Sequence, residues 1–267
     1  MIRDITIGQY YPAKSPIHRM DPRTKLFGTL IFIISVFLFH SVAGYAVATL
    51  FLAGMIIISQ VPVKFIFKGL KAIFMILMIT MVFNILLTPG EVLWKIGIFK
   101  ITREGISMAV RMAIRLVYLV IGSSLMTLTT TPNQLTDGLE KSLRPLNKIH
   151  IPVHEIAMMM SIALRFIPIL LEETDKIMKA QIARGADFES GNLIQKVKNM
   201  VPLLVPLFIS AFRRANDLAM AMEARCYHGG DNRTQMKPLH YTRRDHIAYV
   251  VLFVYIAVAI GFRVMGW

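Results

Sequence analysis

Two tripeptides hold the residues best suited to molecular recognition. They are Ala183-Arg184-Gly185 and Ala224-Arg225-Cys226, forty-one positions apart. An arginine guanidinium is always charged and offers a planar fork of donors, so it holds a carboxylate through two parallel hydrogen bonds. Small neighbours let the backbone beside it sink into a groove. Desolvated arginines of this kind anchor interfaces, and truncating one costs about 2–4 kcal/mol. Either arginine alone reads as an ordinary cation at a helix end, favoured by the macrodipole. Two of them, each closing a long stretch of helical character, read as a matched pair of plugs for a pair of sockets.

The other constellations are weaker. His150 and His154 have the i, i+4 spacing of a metal pair, but Pro152 lies between them and disturbs the helix. Glu172, Glu173 and Asp175 cluster, and they read as a solvated helix face rather than paired catalytic carboxylates. His228-Gly229-Gly230-Asp231 lacks the Gly-Lys-Ser/Thr ending and the preceding strand of a phosphate loop, so it reads as a helix stop. With no P-loop anywhere, any ATP chemistry belongs to a partner, and no catalytic or metal-binding residue is expected in this chain. A single cysteine, Cys226, excludes an internal disulfide and a cysteine-cluster metal site.

The elements that must position the tips belong to a membrane protein. The chain has 267 residues, is 55% apolar and has a mean hydropathy of +0.57. Runs 26–39, 43–61, 72–88, 106–130 and 246–264 approach the roughly 20 apolar residues that cross a bilayer. The first 25 residues are polar and basic, with no apolar stretch of signal-peptide type. The net charge of +14 marks cytoplasmic loops and an anionic leaflet rather than nucleic acid, because no RNA-binding aromatic motif or zinc-finger spacing accompanies it. The positive-inside rule puts the N-terminus in the cytoplasm and gives five spans in the plasma membrane, the last one exiting.

Between the fourth and fifth runs lie about 115 residues with sixteen of the thirty Lys and Arg. Three helices are expected there, over 132–148, 153–185 and 193–227. Thr131-Pro132-Asn133 supplies a cap and a first-turn proline; Pro168 predicts a kink; Gly185, Gly191 and Gly229-Gly230 are stops. Segments 153–171 and 201–212 are nearly as apolar as spans, then turn charged. The prolines favour helices lying along the membrane or packed under the bundle. Two further spans are the alternative, and parity does not separate them. The expected division is therefore 1–130 (spans one to four), 131–245 (cytoplasmic helices) and 246–267 (last span).

Arg111 and Arg115, one turn apart on run four, read as snorkelling side chains or as partners for Glu104 or another subunit. Asp21-Pro22-Arg23 reads as a structural turn that fixes the N-terminal segment against the cytoplasmic helices. Eighteen methionines suit either ordinary membrane packing or surfaces that repack against several partners.

At these residues the chain resembles the transmembrane T component family (EcfT, or CbiQ family) of energy-coupling factor transporters. Gly8-Gln9-Tyr10 and His18-Arg19-Met20-Asp21-Pro22-Arg23-Thr24-Lys25 are similar to its N-terminal stretch. Leu164-Arg165-Phe166-Ile167-Pro168 with Ala180-Gln181-Ile182-Ala183-Arg184-Gly185 resembles its first coupling segment, and Ala221-Met222-Glu223-Ala224-Arg225-Cys226-Tyr227 its second. Cys226 stands where the family usually has Gly or Ser. The resemblance implies an all-α scaffold with a pair of long crossed coupling helices. Two cytoplasmic ABC-type ATPases, which hold ATP and Mg, would dock on Ala183, Arg184, Gly185 and on Ala224, Arg225, Cys226. A membrane S component would bind a vitamin or metal ion and rest on a platform including Met158, Met159, Met160, Leu164, Phe166, Leu204, Leu207 and Phe208. No cofactor is implied for this subunit. A self-sufficient secondary transporter is the rival, weakened because the first three runs carry no Asp or Glu for a proton relay. A membrane-embedded enzyme would need a carboxylate pair or His cluster at the interface.

Overall fold

The computed structural model describes every residue except 1–9, 40, 97–98, 189–191, 231–235, 237 and 265–267. It is helical nearly throughout: α1 (Pro22–Leu38), α2 (Val42–Ser59), α3 (Val63–Leu87), α4 (Arg103–Thr129), α5 (Pro132–Leu143), α6 (Val153–Ala183), α7 (Leu193–Ala224) and α8 (Arg243–Val264). All five apolar runs fall on helices. The mixed segment after α3 forms an antiparallel hairpin of β1 (Val92–Ile96) and β2 (Phe99–Thr102). Lys64, Lys68 and Lys71 lie on the first part of α3, which is bent between Val63–Lys71 and Ile73–Leu87. Arg103–Thr129, Val153–Ala183 and Arg243–Phe262 are long and apolar enough to cross a bilayer, and the bent α3 makes a fourth. At 17 residues, α1 is about 25 Å long, short of a ~30 Å hydrocarbon core.

Backbone contacts divide the chain into two units, one formed by Gly8–Lys141 with Leu239–Trp267, the other by Ser142–Pro238. The first unit contains α5 as well as the five apolar runs. Thr131 and Gln134 start α5 with a reciprocal capping box: Gln134 N–H donates to Thr131 Oγ1 (3.3 Å) and Thr131 N–H to Gln134 Oε1 (3.2 Å). Pro145 replaces the expected end of that helix with a 3-10 turn, Arg144–Ile149.

The core of the first unit is aromatic. Phe32, Val36 and Phe39 of α1 and its cap pack with Tyr45, Ala48 and Leu52 and with Tyr255 of α8. The Phe51 and Tyr255 rings stack with centroids 4.4 Å apart, and the Tyr255 hydroxyl shares a 2.7 Å hydrogen bond with Ser35. Gly122 lets α4 approach α1, since a Cβ there would sit 2.9 Å from Phe32.

One end of this unit is a buried polar knot that explains the motif around Asp21. α4 ends at Thr129, leaving carbonyls without intrahelical donors. Tyr11 N–H donates to Leu128 O (2.9 Å) and Lys25 Nζ to Thr129 O (2.8 Å) and His18 O (3.3 Å). A cation at a helix C-terminus is favoured by the macrodipole. Asp21 caps α1, receiving Arg23 N–H at 2.9 Å, while Arg23 Nη2 binds its other oxygen at 2.9 Å and lies over the Tyr241 ring. Asp245, fully buried, accepts from Asp21 N–H and Thr242 N–H at 2.8 Å and from the Thr242 hydroxyl at 2.7 Å. Within this unit the hydrogen bonds of Asp21 go to the start of α8 and to its own helix. His18, held between Ser15 Oγ (2.7 Å) and Tyr11 O (3.0 Å), titrates below the ordinary imidazole range because burial, then the nearby Lys25 charge, disfavour its cation.

Candidate functional site

The second unit is an antiparallel helical hairpin. Asn199 Nδ2 donates to Asp187 O (2.7 Å), Gln181 Nε2 to Pro202 O (3.4 Å) and Arg214 Nη2 to Glu173 Oε2 (2.8 Å). Gly230 lies against the His154 ring. Each step forward on α6 is thus matched by a step back on α7 over the whole length of both. Glu173 is not simply a solvated face: it forms the ion pair that ties the two helices. Pro206 has no N–H, so the Pro202 carbonyl one turn earlier has no backbone donor, and the Gln181 amide fills that place. His150 ends the 3-10 turn in left-handed backbone (φ 62°) and α6 begins only at Val153, so His150 and His154 do not share a helical face.

Both tripeptides are helix stops built to one pattern. α6 ends at Ala183 and α7 at Ala224. At the first, Arg184 N–H and Ala186 N–H both donate to Gln181 O (3.0 Å), and Gly185 N–H donates to Ile182 O (2.9 Å). At the second, Arg225 N–H and Tyr227 N–H both donate to Met222 O (3.1 Å), and Cys226 N–H donates to Glu223 O (2.9 Å). This is the Schellman arrangement, with arginine at the cap and a left-handed residue after it. Gly185 supplies that conformation at φ 87° and Cys226 at φ 53°. The small-residue rule read from sequence is therefore incomplete: the position demands a backbone conformation, and a residue with a Cβ adopts it at a cost of about 1 kcal/mol.

All six tip residues are exposed. Neither the Arg184 nor the Arg225 guanidinium has a partner among the described residues. Each extends from the negative end of a long helix, with its donors free. The antiparallel register sets the two tips at opposite ends of the hairpin, about 35 Å apart at 1.5 Å of rise per residue.

Of the expected platform, Met159, Met160, Leu204 and Phe208 are exposed, whereas Met158, Leu164, Phe166 and Leu207 are half-buried. On α7 an apolar face is continuous: Val201, Leu204, Val205, Phe208, Ile209 and Phe212 are all exposed. Four of these six lie outside the platform expected from sequence, although their 3.6-residue spacing is there to be read. In the first unit, Arg115 Nη2 reaches Phe39 O (3.3 Å) and the Tyr45 hydroxyl (3.5 Å), a cation at the C-terminus of α1. Arg111 turns to Ser107, and Glu104 accepts from Glu91 N–H at 2.8 Å instead of pairing with either arginine.

Known proteins share this sequence over nearly its whole length. The sequence pattern of the CbiQ family, described as cobalt transport protein, matches residues 13–236. The energy-coupling factor transporter transmembrane protein EcfT of Clostridium kluyveri is 57% identical over 266 residues, 99% of this chain and 98% of its own. The protein of the same description from Ruminiclostridium cellulolyticum is 55% identical, with 96% of each chain covered. That from Bacillus subtilis is 49% identical over 98% of this chain and 100% of its own.

Proposed function

The chain belongs to the CbiQ family and is a membrane component of an energy-coupling factor transporter, and from that premise we propose that it transmits the motion of two cytoplasmic ATPase subunits to a substrate-binding S component. The observation that carries this reading is the pair of matching arginine-capped stops at opposite ends of one hairpin. A single docking partner would need one such end. Two ends about 35 Å apart suit two ATPases, each receiving a guanidinium in an acidic groove. The hairpin between them is held by the Glu173–Arg214 ion pair, so displacement of one end moves the other. The exposed α7 face from Val201 to Phe212 is the surface on which the S component would ride, carrying a vitamin or a metal ion. In this reading the subunit is non-catalytic and holds no cofactor; ATP and Mg belong to the ATPases.

The experiment is affinity purification of the intact transporter in mild detergent from cells carrying wild-type protein or the Arg184→Ala, Arg225→Ala double variant. Both ATPases are expected to accompany the wild type. The double variant is expected to insert normally, lose its ATPases and lose uptake. Uptake at the wild-type rate with both ATPases still bound to the double variant would refute the docking role.

A further inference from the structure

We propose that the first unit holds one acyl chain of an anionic phospholipid in a cavity between α1, α2, α4 and α8, with the phosphate at Arg244. The cavity has a volume of about 300 Å³, is partly open and is lined almost wholly by apolar atoms. Gly28, Ile58, Met126 and Leu252, one from each helix, are among its walls. Such a lining has nothing to orient a polar solute, but it matches a hydrocarbon tail. Its place in the fold is equally specific. It is built from the first half of α1 and α8 and the second half of α2 and α4, so it occupies one leaflet's depth beside the polar knot. That is the end of the bundle at which the basic N-terminal segment sits, hence the cytoplasmic leaflet by charge.

The rim supplies the head-group chemistry. Lys25 and Arg244 are its two charged residues, and both are cationic. Lys25 spends its hydrogen bonds on the His18 and Thr129 carbonyls. Arg244 is exposed and has no partner among the described residues, because its neighbour Asp245 turns inward to Asp21 and Thr242. Asp245 and Asp21 offset the Lys25 charge, so the exposed Arg244 guanidinium is the free cation over the apolar cavity, complementary to the phosphate of a lipid whose head group carries no choline to cancel that charge.

The test uses the full-length protein in mild detergent, supplemented with phosphatidylglycerol or phosphatidylcholine, and reads bound lipid by native mass spectrometry and thermal unfolding. Wild type is expected to retain phosphatidylglycerol in preference to phosphatidylcholine and to melt higher with it. Arg244→Gln, a surface change, is expected to weaken phosphatidylglycerol retention about fivefold and to weaken phosphatidylcholine retention less. Met126→Trp, which narrows the cavity, is expected to lower bound lipid of both kinds. Equal retention of the two lipids by wild type overturns the proposal. So does an undiminished phosphatidylglycerol preference in Arg244→Gln, or unchanged lipid occupancy in folded Met126→Trp. None of these readouts depends on ATPase docking.

Discussion

The two tips share a hydrogen-bond pattern, residue for residue, and differ at two places. The first has glycine in the left-handed position and the second has cysteine. The first is also tied sideways: Gln181 gives its carbonyl to the stop and its side-chain amide to Pro202 of the neighbouring helix. Its counterpart at the second tip is Met222, whose carbonyl does the same work but whose thioether has no amide to lend. The first stop is thus relaxed in its backbone and tied to α7 through the Gln181 amide, the second strained and without that amide tie. Matching sequence signals can mark equal geometry without equal mechanics.

The strongest way to break the comparison is to remove both guanidiniums. If both tips are anchors, each loss costs about 2–4 kcal/mol, which is roughly thirty- to thousand-fold in affinity. The double variant should then show no co-purifying ATPase, and the single variants partial loss, measured by quantitative pull-down. Should one single variant lose everything and the other nothing, the tips are not equivalent anchors.

Smaller changes sharpen the difference. A Cβ at Gly185 would meet nothing within 4 Å, so Gly185→Cys tests backbone strain alone. It should destabilise the hairpin by about 1 kcal/mol, seen as a lower melting temperature. Cys226→Gly is the mirror experiment and should stabilise by a similar or slightly smaller amount, about 0.5–1 kcal/mol. If Cys226→Gly has no effect, the strain assigned to the second stop is absent. The smallest effect is expected for Gln181→Leu. The 3.4 Å bond is long, and its loss should cost about 0.5–1 kcal/mol. The informative readout is the ratio of uptake to ATP hydrolysis, which should fall while docking persists. Met222→Leu, which keeps the carbonyl and removes nothing polar, should leave that ratio unchanged.

Much of this architecture is legible in the sequence, for identifiable reasons. Lipid tolerates few charges, so the five apolar runs stand out, and Thr131-Pro132 announces a helix start because caps are local chemistry. The β-hairpin is not visible there, since a segment such as Val92–Thr102 carries too short an alternation to separate from a loop. The antiparallel register of α6 and α7 rests on Glu173 with Arg214 and Asp187 with Asn199, contacts between residues far apart in the chain that no local pattern encodes. At Cys226 the sequence shows a small side chain, while the structure shows a positive φ, which side-chain size does not report. The role of Asp21 is hidden for a similar reason: its partner Asp245 lies at the far end of the chain.

The chain's single thiol, Cys226, is exposed at one of the two arginine-capped stops. A maleimide dye or a bulky alkylating reagent would therefore label that end alone and leave the Gly185 end untouched. The molecule comes with a built-in handle for blocking or watching one of its two arginine-capped helix ends at a time.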